Sequence, residues 1–471
     1  MRPRDLDRIR FIARRAVFPL VVLVLTAPAA RAAVSNDDLA RYADQLFSRA
    51  YPAGEPGAAV LIARDGKVLL RKGYGLANLE LGVPVQPDMV FELASVTKQF
   101  TAAAVLMLQE RGKLSMEDDV TQYLPGYPTH GQTITLHHLL THTSGIPNLT
   151  GLPEWWPRVR EDLTVQQLID IFKDKPLEFR PGEKVSYSNS GYILLGAVIE
   201  KVSGKTYEDF VEQEIFAPLG MKRSRYAHAT EVVPGRVAGY DQTEAGYKVA
   251  EYVSMTQPYA AGALLSTVDD LALWVEGLYG GKLLKQASLE RMTTPLVLGS
   301  GPSTKAGYGL QISDEDGARI VEHGGGLPGF SSHLLSLPGQ RLVVAVLSNG
   351  FGKEPSLETL TYRVAMKALG KPVEDRRAVD LDPATLDEYV GAYRFGETLS
   401  RTISREGNKL FARRTGGDRH EILAASRDDF FYREVDNRIH FRRDAQGKIA
   451  GMDFQYRFGP VDETGVKAPS P

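Results

Sequence analysis

Ser95 is followed three residues later by Lys98, and no other Ser-x-x-Lys occurs in the 471 residues. If a helix begins at the serine, residues three apart share one face, so amine and hydroxyl can meet. A serine hydroxyl is a poor nucleophile at neutral pH and needs a neighbouring base to take its proton as it attacks. A lysine can serve only when its pKa is lowered, and burial lowers it. The flanks supply that burial. Val90-Phe91-Glu92-Leu93-Ala94 precedes the motif, and Phe100 to Leu108 is apolar almost all round, as in a helix inside a domain. A helix N-terminus also offers unpaired N–H groups to an oxyanion formed at Ser95.

Two further segments carry side chains suited to the same chemistry. Phe179 to Tyr192 is turn-rich and runs into an apolar helix, and it places Tyr187 and Asn189 two residues apart in a loop, where side chains can be aimed into a cleft. Ile320-Val321-Glu322-His323 continues into Gly324-Gly325-Gly326, a strand whose backbone can approach a ligand closely. In this order, Ser-x-x-Lys, Tyr-x-Asn and His-Gly-Gly resemble the three motifs of the serine β-lactamase and penicillin-binding protein superfamily. The tyrosine makes the branch of class C β-lactamases, D-alanyl-D-alanine carboxypeptidases and esterases (a family S12-like group) the nearer one. The resemblance spans roughly residues 38 to 370 and includes Leu139 to Pro147 and Ala261 to Thr267.

Ser95 would attack a carbonyl and become acylated, while Lys98 and Tyr187 share the removal of its proton and the delivery of one to the leaving group. The resemblance adds that Tyr187 activates the deacylating water and that Asn189 bonds the substrate amide and the lysine. His323 and Gly325 of the third motif are expected at the substrate. The backbone N–H groups of Ser95 and Gly326 are the oxyanion pair that the resemblance implies. No cofactor or metal is required. The expected partner is a small amide, ester or peptide, hydrolysed through an acyl-enzyme. A slowly deacylating penicillin-binding or sensor protein is the alternative.

Where most relatives carry a lysine, this chain has His323. An unperturbed histidine titrates near pH 6.5 and is mostly neutral at pH 7, so carboxylated β-lactams and stem peptides are less favoured. On this reading a carboxylate is held better as pH falls. His137, His138 and His142 lie close together, yet no carboxylate stands at a telling distance for a metal; hydrogen bonding within the following turn is expected. Trp155-Trp156 either walls the site or packs as a lid. Glu183 reads as a solvated loop charge, and Gly73-Tyr74-Gly75 as a strand end.

These groups need elements to position them. Ala59–Ala63 and Val68–Gly73 read as a hairpin turning at Asp65-Gly66. Helices are expected at Thr97–Gln109, Val165–Phe172, Tyr192–Val202, Tyr207–Phe216 and Val268–Leu278, and strands at Ala318–Glu322, Ser331–Leu337 and Leu342–Ser348. The fold class that follows is mixed α/β (α+β): an antiparallel sheet built from both ends of the domain, flanked by helices with an all-helical lobe. This β-lactamase/transpeptidase-like domain occupies 34–372. After a linker at 373–384, strand patterns over 385–460 predict a small antiparallel β-barrel, which resembles lipocalin-like domains appended to serine peptidases of this kind. Residues 461–471 are expected to be a disordered tail. A homo-oligomer formed through the C-terminal domain is compatible with this organisation.

A net charge of -2 gives no footprint for nucleic acid. Arg2, Arg4, Arg8, Arg10, Arg14 and Arg15 precede an uncharged stretch from Ala16 to Ala30 and then Ala30-Arg31-Ala32. This pattern predicts a signal peptide over 1–33, hence export to the periplasm or beyond with no stable membrane anchor after cleavage. The chain has no cysteine, so it has neither disulfides nor a thiol for lipid attachment.

Overall fold

A computed structural model describes residues 34–299, 301, 303–373, 378–396, 399–432, 437–455 and 463–468. The leader expected over 1–33 lies outside them. The first hairpin forms from β1 (Ala58–Arg64) and β2 (Lys67–Tyr74). Asp65 and Gly66 both have positive φ, 53° and 73°, as a two-residue turn matched to strand twist demands. Four late strands complete the sheet: β3 (Gln311–Glu315), β4 (Ala318–Leu327), β5 (Phe330–Leu337) and β6 (Leu342–Ser348). The order is β3-β4-β5-β6-β1-β2, and every pairing is antiparallel. The two ends of the domain therefore meet at the β6–β1 ladder.

Alternation along the central strands gives the sheet two apolar faces. Ala59, Leu61, Ala345 and Leu347 point into one core, which they share with α2 (Thr97–Glu110), α3 (Asn189–Ser203) and α4 (Val268–Tyr279). Val60, Ile62, Val344 and Val346 point into a second core under α1 (Asn36–Ala50) and α5 (Leu357–Ala368). Helix α1 buries Leu39, Ala43, Leu46 and Phe47 on one stripe, and the Ser35 hydroxyl accepts from the Asp38 N–H at its start. The chain is thus an antiparallel sheet covered by helices on both faces.

A closed barrel of eight strands follows, from β7 (Gly391–Phe395) to β14 (Glu463–Lys467). Its core is its own, with Tyr389, Tyr393, Phe430 and Phe441 among the buried residues. The expected disordered tail is corrected at 463–467: this segment pairs with both β7 and the strand Ile449–Gln455 and closes the barrel. It carries only one large apolar residue, Val466, so closure holds it in place and not hydrophobic pattern. Among the described residues no helix is long and apolar enough to cross a membrane.

Candidate active site

Ser95 lies in a single 3-10 turn, Ala94–Val96, that leads directly into α2. It therefore precedes the helix that carries Lys98. Ala94 is held at φ 47°, a left-handed conformation costing an alanine on the order of 1–3 kcal/mol. The neighbouring bonds maintain it: the Leu93 N–H donates to Leu264 O at 2.8 Å, and the Ser332 hydroxyl donates to Leu93 O at 2.6 Å.

Lys98 is fully buried. Its Nζ lies 2.7 Å from Asn189 Oδ1, 2.9 Å from Ala261 O and 3.0 Å from Ser95 Oγ. Burial pushes its pKa well below the ordinary lysine value. A neutral amine has two hydrogens and one lone pair. In that neutral form the two carbonyl oxygens can accept the hydrogens, which leaves the lone pair for the serine hydroxyl. Tyr187 approaches from the other side, with its OH 2.8 Å from Ser95 Oγ. The residue is 40% exposed and lines the cavity beside Ser95. Burial raises its phenol above the ordinary range, partly offset by the Ser95 bond.

The third motif acts through backbone more than side chain. Pairing of β4 with β3 ends at Glu322–Gln311, and the 94–96 turn lies against the rest of the β4 edge. Leu327 and Phe330 flank the β4–β5 turn, so alternation along this ladder directs the Gly326 N–H away from β5, toward that open edge. Gly325 is where strand and turn touch. A Cβ there would stand 2.3 Å from Leu93 O and 2.9 Å from Ser95 N. Gly325 thus supplies clearance between strand and turn, and among the described residues Gly326, not Gly325, lines the cavity beside Ser95.

His323 is not among the described lining residues, but its ring stands 6.3 Å from that of Tyr187, which is. It is 4% exposed, and its Nδ1 donates to Gly324 O at 2.6 Å. Burial, reinforced by nearby Lys98, pushes its pKa down to about 3. Burial works against the expected gain of carboxylate affinity as pH falls through 6.5, because it disfavours the charged ring in that range.

A cavity of about 420 Å³ opens beside Ser95, Tyr187 and Asn189. Leu149, Ile193, Trp155, Trp156 and Phe351 are among its walls, so the two tryptophans form an aromatic wall of the site. Among the described residues its lining contains no Lys, Arg, Asp, Glu or His. The sequence reading missed two polar supports. Asn148 Oδ1 accepts from the Asn189 N–H at 2.9 Å, and Asn189 Nδ2 donates to Thr150 Oγ1 at 3.2 Å. Their signal was only their place just past the Leu139–Pro147 stretch.

The three clustered histidines serve separate hydrogen bonds. His137 Nδ1 meets Tyr308 OH at 2.7 Å, His138 Nδ1 accepts from the Thr135 N–H at 3.2 Å, and His142 Nδ1 accepts from the Ser188 N–H at 3.1 Å. The last reaches the Tyr-x-Asn segment and not the turn after His142. Glu183 is an exposed loop carboxylate that accepts from the Arg180 N–H at 3.2 Å.

Comparison with known proteins agrees with this geometry. The Beta-lactamase family profile matches residues 21–368, and a domain of unknown function (DUF3471) matches residues 375–465. Penicillin-binding protein 4* of Bacillus subtilis is 30% identical over 429 residues, 85% of this chain and 93% of that protein. A D-aminopeptidase of Gluconobacter oxydans is 29% identical over 71% of this chain, the match spanning 63% of the aminopeptidase. The octameric penicillin-binding protein homologue from Pyrococcus abyssi superposes with a TM-score of 0.63 at 26% identity, covering 92% of this chain and all of that one. With the family profile spanning most of its length, the chain belongs to the Beta-lactamase family and is a serine hydrolase of that fold.

Proposed function

We propose that this hydrolase forms an acyl-enzyme at Ser95 on small amides or esters whose acyl side chain is apolar and uncharged, D-amino-acid derivatives among them. The observation that carries this reading is the cavity beside Ser95, aromatic and aliphatic in its walls and, among the described residues, without a charged side chain in its lining. A charged acyl side chain placed there would lose water without gaining a partner. The relative named a D-aminopeptidase supports the D-amino-acid part of the proposal.

In the proposed mechanism Lys98 takes the Ser95 proton as Oγ bonds to the substrate carbonyl carbon. The backbone N–H groups of Ser95 and Gly326 hold the resulting oxyanion. The tetrahedral species collapses, the C–N or C–O bond breaks, and Tyr187 passes a proton to the departing nitrogen or oxygen. Water, giving a proton to the Tyr187 phenolate, then attacks the acyl carbon; the acyl–Oγ bond breaks, the acid leaves, and Lys98 returns its proton to Ser95 Oγ. Asn189 fixes Lys98 and bonds the substrate amide. The Arg-rich start and apolar stretch before residue 33 support export. The octameric relative supports assembly of several copies, with the barrel as the proposed contact.

The test pairs N-acetyl-phenylalanine and N-acetyl-aspartate p-nitrophenyl esters, each in D and L forms, with intact-mass measurement. The phenylalanine ester is expected to exceed its charged counterpart in kcat/KM by roughly 30-fold or more, about 2 kcal/mol for a poorly solvated charge. Acyl mass should appear on Ser95 and be absent in Ser95→Ala. A stoichiometric adduct that persists would favour the slowly deacylating alternative. Undiminished turnover by Ser95→Ala would remove the mechanism.

A further inference from the structure

His142 touches the segment that carries Tyr187 at three points. Its carbonyl oxygen accepts from the Ser186 N–H at 2.9 Å, and its Nδ1 accepts from the Ser188 N–H at 3.1 Å. Between those two anchors its ring lies against the Tyr187 ring, with centroids 4.5 Å apart and planes inclined by 34°. The residues on either side of the tyrosine and the tyrosine itself are thus all referenced to one residue, Ser186 through its backbone carbonyl and the other two through its ring. His142 is 8% exposed and adopts φ 59°, a conformation uncommon for histidine, which turns its carbonyl and its ring toward the same loop. The ring also lies 5.2 Å from that of Tyr192, which fixes it from the α3 side.

The bond from Ser188 settles the tautomer. Nδ1 accepts a hydrogen, so it carries none, and the ring proton resides on Nε2. The ring is neutral, because a protonated imidazole has no acceptor. Burial favours the same state.

We propose that His142 is the positioning residue for the Tyr187 phenol, holding its oxygen at the 2.8 Å separation from Ser95 Oγ. It is not among the described residues lining the cavity. Its ring lies against Tyr187, and its bond to Ser188 also holds the residue beside Asn189, so a double-mutant cycle is needed to separate the part that passes through Tyr187. A misplacement of about 1 Å in a reacting group can cost on the order of 100-fold in rate, so this support belongs to kcat. The inference rests on the reading that Tyr187 exchanges protons at Ser95.

The test is a double-mutant cycle read with the neutral phenylalanine ester. His142→Asn can supply an acceptor for Ser188 and tolerates positive φ, but it lacks the ring. His142→Gly suits the backbone and removes both. Expected kcat losses are about 10-fold for the asparagine variant and about 100-fold for the glycine variant, with KM changed less than about 2-fold and thermal unfolding still cooperative. In a Tyr187→Phe background both substitutions should change the residual kcat by less than about 2-fold.

An unchanged kcat in the His142 variants overturns the inference. So does an equal loss in the Tyr187→Phe background, which would mean a general structural role, or failure of both variants to fold. Wild-type kcat in Tyr187→Phe alone would instead overturn the proton-transfer reading on which this one stands.

Discussion

Lys98 is a lysine whose surroundings disfavour its charge. It is fully buried, and its partners Ser95, Asn189 and the Ala261 carbonyl are all uncharged. Its folded pKa therefore falls well below 10.5. Protonation would occupy the lone pair that faces Ser95, so activity is present above the folded pKa and lost as pH falls through it. The acid limb of kcat/KM for a neutral ester is expected well below pH 10.5, and a limb at the ordinary lysine value would contradict the assignment. Lys98→Arg should cost about 100-fold or more, because a guanidinium stays protonated and cannot accept the serine proton. His323 makes the complementary point. Its place in the third motif was readable from sequence, but the lowering of its pKa to about 3 was not. That property comes from burial under the helical lobe and from the proximity of Lys98, neither of which residue spacing encodes.

At the scale of elements, the site depends on how closely β4 lies against the 94–96 turn. Gly325 makes that approach: an added Cβ would sit 2.3 Å from Leu93 O, 2.4 Å from Ser332 Oγ and 2.9 Å from Ser95 N. Two of these three neighbours are backbone atoms, so the strain cannot be relieved by a side-chain rotation alone. Gly325→Ala should lower stability by about 1–3 kcal/mol as overpacking does. It should also separate the Ser95 and Gly326 N–H groups and reduce kcat by about 100-fold, the scale of one lost oxyanion donor. Thermal unfolding and kcat for the neutral ester check both parts; a destabilised variant with wild-type kcat would remove these groups from the oxyanion site. The glycine run marked this approach in the sequence, and the strands at 331–337 and 342–348 followed from alternation and their intervening turn. Less legible were β3, whose Gln-Ile-Ser-Asp-Glu offers one large apolar residue, and the start of α3. There the polar Asn189-Ser190-Gly191 is helical because Ser188 caps it and Asn148 binds its first residue. Tertiary partners, not local pattern, set those boundaries.

At the scale of the molecule, the barrel satisfies its own core. Tyr389, Phe430 and Phe441 form an aromatic cluster with centroids 4.8 to 5.3 Å apart. The Arg401 side chain, 4% exposed, pairs with Glu463 at 2.8 Å, and its guanidinium lies 3.5 Å from the Phe454 ring centroid. That pair links a strand at the start of the barrel with the last one, which explains why β14 is ordered although its composition did not announce a strand. Gly465 belongs to the same closure: a Cβ there would meet the Phe395 ring at 2.7 Å. A barrel in sequence was visible from repeated short strands and turns, whereas its eighth strand required knowing what it had to close. Both apolar cores of the first domain are built without barrel residues. A chain ending after Gly370 should therefore fold and acylate Ser95 with a small neutral ester at a rate within about 3-fold of the full chain, since autonomous domains keep their own cores. Intact-mass kinetics on the two chains, with a thermal scan of each, checks this. The shorter chain folding cooperatively yet failing to acylate would mean that the barrel completes the site, and the separation into a catalytic domain and an accessory barrel would have to be given up.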